Sequence, residues 1–437
     1  MKRFIFLCTL FLSFAVSLGQ TAIRGQSETL KVMVGYSTQK VMTKADLWEE
    51  IWSKDLRLFG VNGIKQPIKI YKISYKTTNP AGELITVSGK VYVPLNSRKP
   101  MPVMLYNHVT CFVDDAEEDF ENGLYGEKKI WSIFATDGYV VLIPDGIGYG
   151  ASGEEVVPFL HKATGEKVGA DMLKAFKELQ ESEKIATNGQ VFLMGISLGG
   201  YNAMATNLFL EKNEVTGFKV AGLSTIATPY LLRGEQIKRL SRPYKRPQYM
   251  VMMTRSYGLI YNMFGEKDSI WRIFAPEYRD SIRSFFDGKH NFRQIEPYLN
   301  RKEPLKMLMP NVVTQLVQDT TSLFWDILRT NELLTADKIS NPIQLCGCES
   351  DDAIPFSGQQ SARKHFLLQG NANVQSEIIS KKYLHLQCAT FGTPYSKCYF
   401  DILRKGKTPL TSTHYKLRIG LYKMIEKVSK EKDWDSE

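Results

Sequence analysis

Five short apolar runs recur along the chain, and helical patterns lie between them. The runs cover residues 102–106, 139–143, 191–195, 219–226 and 342–347. Helical patterns cover 127–136, 166–186 and the residues that follow Ser197. Short apolar strands that alternate with helices are typical of a parallel sheet covered on both faces. The sequence therefore predicts an α/β fold with a mostly parallel central sheet and flanking helices.

The region before these runs shows two other patterns. Apolar residues at helical spacing predict an amphipathic helix over residues 43–59. Alternating apolar residues at 68–73 and 87–93 predict two strands, and the Asn-Pro-Ala-Gly sequence at 79–82 is typical of a turn. We therefore expect an antiparallel hairpin at the start of the sheet domain.

The alternation of strands and helices stops between residues 229 and 342. The segment contains helical patterns rich in Met and aromatic residues, at 249–264, 270–286 and 312–334. We interpret residues 230–340 as a helical cap, or lid, inserted into a sheet domain that consists of residues 20–229 and 341–437. Such a cap is expected to line a substrate pocket with some of its apolar side chains.

The first 19 residues have the pattern of a signal peptide. Lys2 and Arg3 form a basic start, residues 4–18 are almost wholly apolar, and we place cleavage after Gly19. The apolar run is shorter than the roughly 20 residues that a transmembrane helix needs. The mature chain is therefore expected to be exported, as a secreted or periplasmic protein, and to have no transmembrane segment.

Charge and cysteine content exclude some function classes. The 437 residues carry a net charge of +10, but no Arg-rich run alternates with aromatic residues, so nucleic-acid binding is not expected. Five cysteines follow the predicted cleavage position, so at least one thiol is unpaired. Cys346 and Cys348 are spaced too closely for a usual zinc site and are expected to be buried thiols. Cys388 and Cys398 could close a short loop as a disulfide.

The strongest candidate for chemistry is Gly195-Ile196-Ser197-Leu198-Gly199, which joins the third apolar run to a helix. A serine on a strand-to-helix turn of the form G-x-S-x-G is typical of a nucleophile elbow, which exposes the hydroxyl above the sheet. The alternative is a glycine-rich turn with a bystander serine, since the motif also arises by chance. A reactive serine needs a histidine base, and the histidine needs an acid that orients it.

Candidates for the acid and the base follow in the order serine, acid, histidine, as in α/β-hydrolases. Asp351 and Asp352 come directly after the fifth apolar run, at the sheet edge where catalytic groups collect, although either could cap the next helix. His385 ends a strand-like run at the same edge and is the preferred base. His414 is the alternative, and His365 is expected to be exposed in mid-helix.

A tetrahedral oxyanion needs at least two hydrogen-bond donors. The backbone N–H of Leu198, next to the serine, is one candidate. The second is expected from the loop after the first apolar run, from the backbone of Val109 or Thr110 or from the Thr110 hydroxyl. His108 precedes the serine in the chain, so we interpret it as a brace of this loop rather than as the base.

At these residues the chain resembles the α/β-hydrolase superfamily, and within it is similar to the secretory lipase and esterase group. The matching stretches lie at 75–82, 88–94, 106–110, 138–141, 145–152, 195–200 and 351–355. Val109 stands where the group often has a glycine. The last stretch resembles Asp-x-x-Val-Pro, whose first aspartate is the acid, so the resemblance implies Asp351 as the acid and Asp352 as the alternative.

The resemblance implies a serine hydrolase that cleaves carboxylic esters of small molecules or lipids, with no cofactor and no metal ion. A serine peptidase and a carbohydrate esterase of the acetyl or feruloyl type are alternatives that use the same chemistry. A binding protein with an inactive hydrolase fold is disfavoured by the order of Ser197, Asp351 and His385. The oligomeric state stays open.

Overall fold

One sheet of nine strands dominates the part of the chain that the structure describes. The structure is a computed structural model, and it describes residues 31–50, 63–113 and 127–428, apart from 216, 264 and 266. The strands are β1 (Met33–Met42), β2 (Ile68–Thr78), β3 (Leu84–Pro94), β4 (Met101–Asn107), β5 (Val140–Pro144), β6 (Thr187–Ile196), β7 (Lys219–Ile226), β8 (Ile343–Cys348) and β9 (Val374–Ser380). Their order across the sheet is β1-β2-β3-β5-β4-β6-β7-β8-β9.

Antiparallel pairing lies on one side of this sheet. Strands β1, β2 and β3 are antiparallel neighbours, and β3 is antiparallel to β5. The pairs from β5 to β9 are parallel. The predicted hairpin is β2–β3, which pairs Ile68 with Pro94 and Thr78 with Leu84. Both the hairpin and the mostly parallel sheet are confirmed.

Helices connect the strands and cover both faces of the sheet. They are α1 (Lys44–Glu50), α2 (Glu127–Ala135), α3 (Lys162–Ser182), α4 (Leu198–Leu210), α5 (Glu235–Arg239), α6 (Pro247–Ile260), α7 (Pro276–Phe285), α8 (Phe292–Ile295), α9 (Pro310–Val313), α10 (Leu323–Thr330), α11 (Phe356–Leu368), α12 (His385–Leu403) and α13 (Thr413–Val428). Buried side chains of α3 and α4 belong to one apolar core, and those of α2, α12 and α13 belong to the other.

The central strands are apolar throughout because they contribute to both cores. Along β4, Val103 and Leu105 belong to the core with α3 and α4, whereas Met104 and Tyr106 belong to the core with α2 and α12. Successive side chains of a strand point to opposite faces. A strand that is buried on both faces therefore loses the polar positions that would otherwise alternate.

The segment between β7 and β8 is helical, but two of its predicted helices are wrong in extent. The pattern at 270–286 divides into a 3₁₀ helix, Lys267–Ile273, and α7, because Pro276 lies at the first turn of a new helix. The pattern at 312–334 divides into α9, a π-helical turn at Thr314–Gln318, and α10. Ser322 caps α10 by accepting a hydrogen bond from the Trp325 N–H at 3.2 Å.

Strand β1 is an edge strand that the hydrophobic pattern does not predict. Most of its residues are exposed, including Val34 and Val41, so it has no buried face to impose alternation. The helix predicted over 43–59 is present as α1, and its second half lies outside the described residues. The predicted signal peptide, residues 1–19, also lies outside them. Within the described ranges, every helix is too short or too polar to cross a bilayer.

Burial of His161 is expected to make stability depend on pH. The residue precedes α3, its Nδ1 lies 2.8 Å from Thr164 Oγ1, and burial lowers its pKa from 6.5 to about 4. His161 therefore becomes protonated below about pH 6.5 in the unfolded chain but only below about pH 4 in the folded chain. Between these two pH values the unfolded state binds more protons, so stability falls as the pH falls. We expect the free energy of unfolding in urea to drop by about 2 kcal/mol more between pH 7 and 5 in the wild type than in His161→Asn. Equal losses in the two proteins would contradict this account.

Candidate active site

Ser197 lies on the sharp turn between β6 and α4. Its backbone has φ 55° and ψ −118°, a conformation that is strained for a residue with a side chain. Its N–H donates to the Ile226 carbonyl oxygen at the end of β7, at 2.8 Å. The turn therefore fixes the serine directly above the carboxyl end of the parallel sheet, before the first turn of a helix.

The glycines of the motif are required by close backbone packing. A Cβ atom on Gly195 would overlap the Gly199 carbonyl oxygen, and one on Gly199 would overlap the Asn107 carbonyl oxygen. A Cβ on Gly200 would overlap the Thr228 hydroxyl. The strand, the helix and the loop after β4 thus meet at distances that only glycine allows.

At this edge of the sheet His385 contacts Ser197, and Asp351 contacts His385. His385 Nε2 lies 3.0 Å from Ser197 Oγ. His385 Nδ1 lies 2.9 Å from Asp351 Oδ2 and 3.1 Å from Oδ1. All three residues are buried. The structure therefore brings together the serine, the histidine and the aspartate that the sequence analysis preferred.

The two neighbouring aspartates have different contacts. Asp351 Oδ1 accepts hydrogen bonds from the backbone N–H groups of Ala353 and Ile354, at 2.9 and 2.7 Å, which orient its carboxylate toward the imidazole. Asp352 Oδ1 instead accepts from the backbone N–H of His385 at 2.9 Å. One carboxylate therefore contacts the ring of His385, while the other holds its backbone.

His385 is the first residue of α12, not the end of a strand. Strand β9 ends at Ser380, and the side chain of Gln387 accepts a hydrogen bond from the Leu384 N–H at 3.0 Å. The apolar residues at 383–384 follow the strand and do not extend it. The placement of His385 at the sheet edge is nevertheless as predicted, because a helix that follows a parallel strand begins at that edge.

The other candidate histidines lie away from Ser197. His365 lies on α11 and is half-buried rather than exposed, with Nε2 2.7 Å from the Thr335 carbonyl oxygen. His414 is exposed near the start of α13. Neither residue contacts the serine, so among these three candidates His385 is the histidine that the fold places beside Ser197.

A disulfide joins the segments that carry the acid and the histidine. It links Cys348, the last residue of β8, to Cys388 in the first turn of α12. Both cysteine predictions for this pair are wrong: Cys348 is not a thiol, and Cys388 does not pair with Cys398. Ten residues of α-helix rise about 15 Å, so two cysteines of α12 with this spacing lie too far apart for a bond.

The remaining thiols of the described chain are buried. Cys111, Cys346 and Cys398 are thiols that take part in no disulfide. Burial raises the pKa of Cys398 to about 12, and it raises the pKa of Cys346 well above its usual value. Both are therefore protonated and inert at neutral pH.

Loss of the disulfide is expected to destabilise the fold. The bond closes a loop with a sequence separation of 40 residues. The double variant Cys348→Ala/Cys388→Ala should lose about 4 kcal/mol of unfolding free energy, because the unfolded chain regains loop freedom. Urea unfolding measures this loss, and Cys398→Ala on the same helix is the matched control. A double variant no less stable than the control would show that the bond adds nothing.

The predicted oxyanion residues lie around the turn that carries the serine. Leu198 opens α4, so its N–H belongs to the free N-terminal donors of that helix. Thr110 lines the same cavity as Ser197 and Leu198. Val109 packs against Cys111, and its carbonyl oxygen lies 2.7 Å from His108 Nδ1. These positions keep Leu198, Val109 and Thr110 as candidates.

His108 contacts two loops at once. Its Nδ1 meets the Val109 carbonyl oxygen and its Nε2 meets the Asp145 carbonyl oxygen, each at 2.7 Å. The ring thereby ties the loop after β4 to the loop after β5. This arrangement agrees with its interpretation as a brace.

A cavity of about 40 Å³, here called the serine cavity, opens beside Ser197. On the sheet side it is lined by Thr110, Phe159, Leu160, Ser197, Leu198, Pro229 and Ile354. On the side of the helical segment it is lined by Gln236, Ile237, Leu240, Tyr244, Tyr249, Met250 and Met253. These described residues include no charged side chain. The helical segment after β7 therefore supplies half of the wall around the serine.

Residues of that segment also bond to the loop that carries Asp351, here called the acid loop. The sequence does not predict these contacts. Arg239 donates to the Asp351 carbonyl oxygen at 2.7 Å, and Gln236 donates to the Ala353 carbonyl oxygen at 3.3 Å. The ring of Tyr249 lies 6.3 Å from that of His385, and burial raises the pKa of Tyr249 to about 12. The Met and aromatic content of the segment indicated a pocket wall but not which side chains reach it.

Comparison with known proteins identifies the fold. The sequence profile of the prolyl oligopeptidase family matches residues 127–221, a stretch that contains Ser197. No protein with curated annotation shows significant sequence similarity to the chain. Solved structures, however, match over nearly the whole length.

Three of these structures come from different organisms. A candidate hydrolase from Legionella pneumophila has a TM-score of 0.72 and 22% identity over 92% of this chain and 100% of that one. The rice cell wall degrading esterase LipA from Xanthomonas oryzae has a TM-score of 0.70 and 18% identity, over 91% of this chain and 98% of its own. Candida antarctica lipase A has a TM-score of 0.64 and 15% identity, over 87% and 83%. The chain has the α/β-hydrolase fold, so the fold that the resemblance in the sequence implied is confirmed.

Proposed function

We propose that this α/β-hydrolase is a serine hydrolase that cleaves carboxylic esters through Ser197, His385 and Asp351. The observation that carries the proposal is the continuous contact from Ser197 Oγ to His385 Nε2 and from His385 Nδ1 to Asp351. A hydroxyl, a histidine and a buried carboxylate in this order form the arrangement that activates a serine. The family match and the hydrolase neighbours support the same chemistry.

Each residue has a defined role in the proposed reaction. His385 Nε2 takes the Ser197 proton as the oxygen attacks the ester carbonyl, and Asp351 stabilises the imidazolium through Nδ1. The N–H of Leu198, with Val109 or Thr110, holds the oxyanion. Collapse of the intermediate breaks the bond to the alcohol, which receives the proton from His385 and leaves an acyl-enzyme. Water, activated by His385, then attacks the acyl carbonyl and releases the acid and free Ser197.

An ester rather than a peptide is favoured by the lining of the serine cavity. A peptidase that holds the amino terminus of its substrate needs a carboxylate near the serine, and the described lining residues supply none. Glu277, a residue that could hold such an amine, is exposed on α7, and Glu266 lies outside the described residues. The neighbours named as an esterase and a lipase agree with an ester substrate, whereas the prolyl oligopeptidase match keeps the peptidase as the second candidate.

The proposal extends to the organisation and location of the chain. Residues 20–229 and 341–437 form the catalytic domain, and residues 230–340 form the cap that covers it, since this segment lines the cavity and holds the acid loop. The apolar pattern of residues 4–18 supports export as a secreted or periplasmic enzyme. A small-molecule or lipid ester is the proposed substrate, and the reaction uses neither a cofactor nor a metal ion.

Labelling and a short substrate panel test this proposal. A fluorophosphonate should modify Ser197, identified by peptide mass spectrometry, and the enzyme should hydrolyse p-nitrophenyl acetate faster than aminoacyl p-nitroanilides. Absence of labelling would favour the inactive binding protein. Labelling with a preference for the anilides would favour the peptidase.

A further inference from the structure

We infer that the serine cavity selects esters of short, uncharged acyl groups of about two or three carbon atoms, an inference that rests on the proposed function. The acyl group stays bonded to the serine through both halves of the reaction, whereas the alcohol leaves after the first. The cavity is lined by Ser197 and by Leu198, the proposed oxyanion donor. It therefore receives the group that is attached to the reacting carbonyl carbon.

The size of the cavity limits this group. Its volume is about 40 Å³, whereas an engineered protein cavity of about 150 Å³ accommodates benzene. In proportion, 40 Å³ holds roughly two carbon atoms beyond those already in contact with the serine turn. An acetyl or propionyl group fits this space, whereas a longer chain must displace the wall or leave the cavity through its open side.

One wall of the cavity is held in place by hydrogen bonds. Leu160 has φ 55°, and its carbonyl oxygen accepts hydrogen bonds from the hydroxyls of Tyr201 and Tyr257, at 2.9 and 2.8 Å. The N–H of Phe159 donates to Ser256 Oγ at 2.9 Å. These groups are buried, so moving the wall would leave buried polar atoms without partners. A longer acyl chain cannot push Phe159 and Leu160 aside at low cost.

The opposite wall of the cavity, formed by α6, allows the limit on acyl length to be changed by substitution. Met250 and Met253 of α6 line the cavity with flexible, unbranched side chains. Removing the Met253 side chain beyond Cβ adds space beside the serine without touching the hydrogen-bonded wall. Met252, one residue earlier on the same helix, is also buried but does not line the cavity.

Rates on p-nitrophenyl esters of increasing chain length test the inference. We expect kcat/KM to be highest for acetate and propionate and about 10-fold lower for butyrate, because one methylene that does not fit reduces the rate at least about 10-fold. Octanoate should be slower still. Met253→Ala should raise the ratio of kcat/KM for hexanoate to kcat/KM for acetate by about 10-fold. Met252→Ala should keep the wild-type profile.

Two results would overturn the inference. One is a wild-type kcat/KM that rises from acetate to octanoate, a result that needs no variant to fold. The other is the same chain-length profile in both methionine variants. Fluorophosphonate labelling distinguishes failure of the proposed function from failure of this inference. Without labelling of Ser197 the proposed function fails. Labelling together with a kcat/KM that rises with chain length overturns only the acyl-chain limit.

Discussion

Ser197→Ala is expected to lower kcat for p-nitrophenyl acetate by about 10⁶-fold. The variant lacks the attacking oxygen, so no acyl-enzyme forms, and only binding and the oxyanion donors remain to assist water. Alanine adopts the same backbone as serine at φ 55°, and the backbone N–H at this position still bonds to Ile226. The fold should therefore persist, with unchanged circular dichroism and without fluorophosphonate labelling.

A matched control is available for this substitution. Ser357 lies on α11, away from the serine cavity, and Ser357→Ala should keep the wild-type rate and the labelling of Ser197. Hydrolysis by a folded Ser197→Ala at more than a hundredth of the wild-type rate would remove Ser197 from the mechanism. The glycine-rich turn would then be a structural unit with a bystander serine.

Asp351→Asn is expected to lower kcat by about 10⁴-fold, the effect seen where an aspartate that orients a catalytic histidine becomes an amide. The introduced amide would present an N–H₂ group or a neutral oxygen to His385 Nδ1, so the imidazolium loses the charge that stabilises it. The backbone N–H groups of Ala353 and Ile354 would still bond to the remaining oxygen. The loss should therefore appear in kcat rather than in stability.

The adjacent aspartate provides the control. Asp352→Asn keeps an oxygen that can accept the His385 backbone N–H, so its kcat should fall less than about 10-fold. Steady-state kinetics on p-nitrophenyl acetate measure both variants. Equal losses would contradict the separate roles that the geometry gives to the two carboxylates. A larger loss in Asp352→Asn would indicate that Asp352 is the acid.

The sheet and the three residues of the proposed triad could be predicted from the sequence because each has a strong local signal. The apolar runs reflect burial on both faces, as Val103 and Met104 illustrate by packing into different cores. The G-x-S-x-G motif reflects the overlap that any Cβ on Gly195 or Gly199 would produce. The position of His385 follows from the order of the strands, because successive parallel strands bring their carboxyl ends to one edge.

Features that depend on contacts distant in sequence could not be predicted in this way. The bond from Cys348 to Cys388 joins the end of β8 to α12, whereas sequence spacing suggested Cys398, which lies two to three turns along the same helix. The edge strand β1 buries no face and therefore carries no hydrophobic period. The hydrogen bond from Arg239 to the Asp351 carbonyl oxygen produces no recognisable pattern in the sequence around either residue.

The pairing of β7 with β8 has a consequence for how a chain with this fold could acquire new substrates. Ile226 ends β7 opposite Cys346, three residues into β8, so the two ends of the long helical segment are only about 11 Å apart. Loop closure becomes only slightly less favourable as a loop lengthens. The two strands can therefore accept an inserted segment of any length whose ends meet at this spacing, although in this chain the segment also bonds to the loop that carries Asp351. If the segment lines the substrate pocket as proposed, an exchange that keeps the hydrogen bond from Arg239 to the Asp351 carbonyl oxygen is expected to change acyl specificity on an unchanged sheet.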